Sequence, residues 1–104
     1  MVDEDFIKGL SNSKEISGIF EFDATNDLTS MDFENKKFSN VHIKDANLLS
    51  AIFRDCEFYE TVFETCILAG VNFDKCKFIK CTFTKCDISF SLNDCNVSTL
   101  IVQN

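Results

Sequence analysis

Residues 71–88 read Val71-Asn72-Phe73-Asp74-Lys75-Cys76-Lys77-Phe78-Ile79-Lys80-Cys81-Thr82-Phe83-Thr84-Lys85-Cys86-Asp87-Ile88. A large apolar residue returns every five positions, at Phe73, Phe78, Phe83 and Ile88, and a small one stands two before each, at Val71, Cys76, Cys81 and Cys86. The residues between are mostly charged or polar. A helix needs a period of 3.6, and a plain strand needs 2 throughout. A spacing of 2, 3, 2, 3 fits neither. It describes short extended pieces, in which residues i−2 and i share one face, separated by a turn every fifth residue that re-aims the next pair inward. A chain that repeats this closes into coils, and the coils stack into a solenoid.

Working outward, the large comb runs Leu28, Phe33, Phe38, Ile43, Leu48, Phe53, Phe58, Phe63, Leu68, Phe73, Phe78, Phe83 and Ile88, all Leu, Ile or Phe. The small comb runs from Asn26 to Cys86 and is mostly Val, Ala, Cys or Thr, with Lys36 out of keeping in the first full coil. Lys36 is expected to snorkel or to mark a frayed end. Eight of the twelve Phe (Phe33, Phe38, Phe53, Phe58, Phe63, Phe73, Phe78 and Phe83) lie on the large comb and read as the core stack.

Units such as Ala46-Asn47-Leu48, Val71-Asn72-Phe73, Cys76-Lys77-Phe78 and Cys86-Asp87-Ile88 resemble the pentapeptide-repeat family. The resemblance covers residues 26–90 continuously and is looser to the end. It implies an all-β fold, a right-handed quadrilateral parallel β-helix with four units per coil. It also implies that residues twenty apart stack: Phe33 on Phe53 on Phe73, Phe38 on Phe58 on Phe78, Ile43 on Phe63 on Phe83, and Leu48 on Leu68 on Ile88. All central residues from Phe33 to Ile88 are therefore expected inside.

The ends depart from the repeat. Residues 1–25 read as an N-terminal cap, with one or two helical turns over Asp3–Leu10 and a strand over Ile16–Phe22 whose Ile16, Gly18, Phe20 and Phe22 share a face. Residues 26–104 form the solenoid. From about residue 90 the comb slips by one. Leu92, Val97 and Val102 continue it, with Phe90, Cys95 and Leu100 two before them, so the last coil is expected to be distorted.

Charge bounds the function. The chain has 17 acids and 10 bases, a net of −7. Residues 1–34 hold the whole imbalance, and residues 35–104 are neutral overall. A phosphate-neutralising protein carries the opposite sign, so direct nucleic-acid binding is not expected. No apolar run approaches the ~20 residues of a membrane span, and the acidic start Met1-Val2-Asp3-Glu4-Asp5 is not a basic leader. A cytoplasmic, bacterial protein without membrane contact is the expectation.

Candidate chemistry is sparse. The cysteines Cys56, Cys66, Cys76, Cys81, Cys86 and Cys95 have spacings of 10, 10, 5, 5 and 9, which match no zinc pattern. Five sit on the small comb, where a free thiol acts as a small apolar filler. Reduced, buried thiols are expected, although Cys56 with Cys76, and Cys66 with Cys86, stack within disulfide reach. His42 stands alone. Glu57 and Glu60 flank Phe58 beside Tyr59, on a solenoid side that offers no cleft. No catalytic, cofactor or metal residue is assigned.

What remains is surface. Three outward faces are mixed and polar. The face of the Leu48 column carries Leu49, Ile67, Ala69, Gly70 and Phe90 and little charge, which suggests a contact surface or a seat for the chain's own ends. The C-terminal coil exposes strand edges that need a cover. Leu92, Val97, Leu100 and Val102 are the candidate seam of a homodimer, an arrangement also similar to that of family members; the rival is a monomer whose tail folds back. The functional reading is a non-catalytic protein-interaction module, an adaptor, inhibitor or immunity-type binder. The alternative comes from the resemblance: some family members, quinolone-resistance proteins among them, resemble duplex DNA and bind DNA gyrase or topoisomerase.

Overall fold

A turn every fifth residue requires the backbone to reverse its twist at each corner. In the computed structural model, which describes residues 15–21 and 28–103, the residue two past each central residue does this. Ser30, Asn35, Asn40, Asp45, Ser50, Asp55, Glu60, Thr65, Gly70, Lys75, Lys80 and Lys85 all have φ between 49° and 70°. Asn, Asp, Ser and Gly tolerate this left-handed conformation. Thr65, which is β-branched, does not adopt it readily.

Twelve strands follow: β1 (Glu15–Glu21), β2 (Asp32–Glu34), β3 (Lys37–Lys44), β4 (Ile52–Arg54), β5 (Glu57–Tyr59), β6 (Val62–Glu64), β7 (Asn72–Asp74), β8 (Lys77–Ile79), β9 (Cys81–Thr84), β10 (Ser91–Asn93), β11 (Asn96–Val97) and β12 (Leu100–Gln103). All pairings are parallel and join one coil to the next. One side of the solenoid is β2-β4-β7-β10. The next two sides share β3, which turns the corner at Asn40 and is followed by β5-β8-β11 and by β6-β9-β12. The fourth side is held by isolated bridges, Asn47 to Ile67 to Asp87. The chain is a parallel β-solenoid of about four coils.

The twenty-residue stacking is present. Phe33, Phe53 and Phe73 pair in register, as do Phe38, Phe58 and Phe78, and Ile43, Phe63 and Phe83. Within a column the rings lie nearly parallel: Phe33–Phe53 at 4.5 Å and 9°, Phe38–Phe58 at 4.8 Å and 5°, Phe63–Phe83 at 4.9 Å and 10°. Between columns they meet edge-on, as in Phe73–Phe78 at 5.1 Å and 77°. Both geometries suit the ring quadrupole. The eight stacked Phe are each at most 2% exposed, and Leu28, Ile43, Leu48 and Leu68 join them.

The small comb closes the corners with side-chain bonds to the preceding coil. Cys56, Thr61, Cys66, Cys76, Cys81 and Cys86 each donate to the carbonyl 23 residues earlier, at 3.2–3.5 Å. Thr61 is thus buried without an unsatisfied hydroxyl. Lys36 is half-buried, and its carbonyl accepts the Glu57 N–H at 2.9 Å.

At the N-terminal end, β1 lies on β3, with Ile16 opposite Phe38 and Phe20 opposite Ile43, both buried. The expected alternation fails at Gly18, which is exposed. The register shifts between Ile16 and Gly18, whose φ is 120°. The helix expected over Asp3–Leu10, and Phe22, lie outside the described residues.

The largest departure is at residues 88–90. Ile88 was expected to extend the Leu48–Leu68 column; it is instead 50% exposed. Pairing shifts from twenty to nineteen here: Ile67 faces Asp87, whereas Asn72 faces Ser91 and Phe73 faces Leu92. The fourth side is one residue short, and after Lys85 the next left-handed residue is Asp94. Without a corner at residue 90 the chain cannot aim Ile88 inward. Phe90 fills the space, its ring 4.9 Å from Phe83 and 5.5 Å from Phe73. Phe90 therefore belongs to the core end and not to the outer face.

Candidate interaction surfaces

The fourth side is built from β-turns. The Ala51 N–H returns to the Leu48 carbonyl at 2.9 Å, and the Val71 N–H to Leu68 at 3.1 Å, with Ser50 and Gly70 left-handed at the third position of each turn. At Gly70 a side chain would have a Cβ 3.1 Å from Ser50 Oγ, so the position is both turned and tight. Asn47 Oδ1 accepts the Leu49 N–H, and Asp87 Oδ1 accepts the Ser89 N–H, fixing the backbone that presents the outer residues. Leu49 is 41% exposed and Ile67 42%. Ala69 is half-buried and Gly70 exposed. With Ile88, the apolar surface spans three successive coils. The slip of the comb at residue 90 was the sequence signal that could have placed Ile88 here.

The C-terminal end is the second apolar surface. β10, β11 and β12 are the outermost strands of their sides. Leu92, Val97 and Val102 stack in register on Phe73, Phe78 and Phe83, yet remain 41–45% exposed, because no described residue lies over them. Leu100, opposite Cys81, is half-buried against the core, and Ile101 points outward at 45%.

The polar sides carry ladders rather than clefts. Glu15, Lys37, Glu57 and Lys77 stand in register on consecutive coils, with alternating sign. Lys37 Nζ is 3.9 Å from Glu15 and 5.0 Å from the Tyr59 ring. The Tyr59 hydroxyl donates to Glu57, and this raises its pKa above the usual phenol value. Glu57 is thus engaged by Tyr59, while Glu60 occupies a corner. His42 meets Glu64 at 2.8 Å. Beside β1, a hollow of about 370 Å³ lined by Glu15, Asn35, Lys36, Lys37, Asp55 and Glu57 opens broadly to solvent. Among the described residues, no group of three or more His, Cys, Asp or Glu is placed to hold a metal ion.

All six cysteines are free thiols, five buried and Cys95 half-exposed. Burial pushes the Cys81 thiol up, and the stacked neighbouring thiol together with burial does the same for Cys66 and Cys76.

Parallel coils, a left-handed corner every fifth residue and a core of stacked rings define a β-solenoid of the pentapeptide class. The family model of pentapeptide repeats matches residues 56–89, in eight copies, and the same corner geometry continues before that stretch from Ser30. Over residues 56–89 the sequence is similar to pentapeptide repeats. A search of curated proteins finds no match.

Proposed function

We propose that this chain is a non-catalytic interaction module that binds a protein partner through the fourth side of the solenoid. The observation that carries this is the exposure of Leu49, Ile67 and Ile88 on three consecutive coils of the one side poor in charge. A rigid, half-apolar strip of this kind suits a partner's apolar surface. An adaptor, an inhibitor or an immunity protein would use such a strip. Free thiols in the core suit a reducing, cytoplasmic setting, and a bacterial source fits the family reading. The test places a photo-crosslinking residue at position 49 or 67 in the native host, with position 80 as control. Specific adducts at 49 and 67 alone support the reading. Equal labelling at 80 removes it.

The DNA-mimic alternative, with gyrase or topoisomerase as partner, has less support from the charge layout. Residues 51–70 carry one base and four acids, but residues 71–90 carry four bases and two acids. A mimic of duplex DNA needs negative charge along its whole length. Unchanged gyrase supercoiling at micromolar protein would exclude it. The open C-terminal end is the proposed seam of a homodimer, which would cover Leu92, Val97, Leu100 and Val102.

A further inference from the structure

Two thiols stack where the chain enters the fourth side, just past the corners at Thr65 and Lys85. Cys66 and Cys86 lie between the in-register pairs Glu64–Thr84 and Ile67–Asp87, one coil apart. That spacing is about 4.8 Å, inside the Cα separation that a disulfide spans. Cys86 is the most exposed of the five buried thiols, at 8%, against 3% for Cys66, 2% for Cys76 and 0% for Cys56 and Cys81. It lies one residue past the last backbone bond to the final coil, from Lys85 N–H to the Gln103 carbonyl at 2.7 Å. Next to it the chain leaves the regular repeat, and Ile88 turns outward.

The sulfur of Cys86 also has a donor aimed at it: the Cys66 backbone N–H points to it at 3.4 Å. A donor directed at a sulfur favours its thiolate. The stacked Cys66 lowers the Cys86 pKa to about 7. Cys56, whose pKa the stacked Cys76 also lowers, is fully enclosed. Cys95 is more open, but partial burial raises its pKa.

We infer that Cys86 and Cys66 form a peroxide-reactive dithiol, with Cys86 as the attacking sulfur and Cys66 as the resolving one. The Cys86 thiolate attacks one oxygen of hydrogen peroxide. An S–O bond forms, the O–O bond breaks, and the departing hydroxide takes up the thiol's proton to leave as water. Cys66 sulfur then displaces the oxygen of the Cys86 sulfenic acid. An S–S bond forms, the S–O bond breaks, and a second water leaves with the Cys66 proton. Two thiols and one peroxide give one disulfide and two waters, with two electrons passing from sulfur to oxygen. The product staples the last regular coil to the one before it. This does not depend on which partner the fourth side binds.

The test treats the folded, full chain with a small excess of hydrogen peroxide, blocks remaining thiols, and maps peptides without reduction. The expected product is a Cys66–Cys86 link, with Cys56 and Cys81 still reduced. In Cys66→Ser, dimedone should trap a sulfenic acid on Cys86. Iodoacetamide at neutral pH should label Cys86 at least about tenfold faster than Cys56 or Cys81 in the untreated protein. An unmodified Cys86 after peroxide, or a Cys76–Cys95 link in its place, overturns the assignment. Because the mapping and labelling use the unmutated protein, a folding defect in the variant would not obscure the result.

Discussion

The Phe90 ring centroid lies 4.9 Å from that of Phe83, tilted by 32°, on a coil that pairs nineteen residues back instead of twenty. Phe83 itself stacks on Phe63 at 4.9 Å and its column continues to Val102, so Phe90 packs beside that column in the place that Ile88 would have filled. This exchange, Phe90 in and Ile88 out, is the one place where the core departs from strict five-residue register among the described residues, and it sets what each end residue does.

Phe90→Ala should therefore destabilise the fold by about 2–4 kcal/mol, as loss of a partly buried ring does. Ile88→Ala should change stability by no more than about 0.5 kcal/mol, as at other exposed sites. Urea unfolding followed by circular dichroism measures both. A larger loss for Ile88→Ala than for Phe90→Ala would contradict the packing described.

Phe58 is fully buried and touches rings in its own column and both neighbouring ones. Phe58→Ala should cost about 3–5 kcal/mol, enough to unfold much of a small domain. Phe58→Leu should cost less, because it leaves a smaller cavity. The same unfolding curves distinguish the two.

Thr65 holds φ at 54°, where a β-branched side chain is strained. Thr65→Asn should raise stability by about 0.5–1 kcal/mol, since Asn enters this region at lower cost. Thermal melting checks it, and an unchanged or lower Tm would mean that the Thr65 corner is relaxed.

Burial raises the folded Cys81 pKa above that of the unfolded chain. The unfolded state then loses this proton first. The Cys81 contribution is full below the unfolded thiol pKa of about 8.5 and is lost as pH rises above it. It can contribute a slope of up to about 1.4 kcal/mol per pH unit. Cys81→Ala should flatten the decline between pH 9 and 10 in urea titrations, and an identical slope would count against the Cys81 contribution.

For the homodimer, light scattering at micromolar concentration should give twice the chain mass of 11.8 kDa. Leu100→Asp should yield monomers with the same circular dichroism spectrum, because Leu100 lies at the end of the stack and is only half-buried. A single-chain mass for the unmutated protein would remove the proposal.

The sequence by itself determined the coil. Large residues at five-residue spacing, with small ones two before, mark which residues face inward, the Phe comb from Phe33 to Phe83 and five of the thiols among them, and the resemblance to pentapeptide repeats adds their stacking in columns twenty residues apart. It also showed that the register slips near residue 90, since Leu92, Val97 and Val102 resume the comb one position early. Which residue the slip expels was decided only in three dimensions. Ile88 and Phe90 are both apolar, and a one-dimensional pattern cannot weigh a missing corner against a ring that reaches Phe73 and Phe83. The exposed strip of Leu49, Ile67 and Ile88 depends on that outcome. So does the setting of Cys86, whose reach to solvent and hydrogen bond from the Cys66 backbone arise from coil-to-coil contacts twenty residues apart.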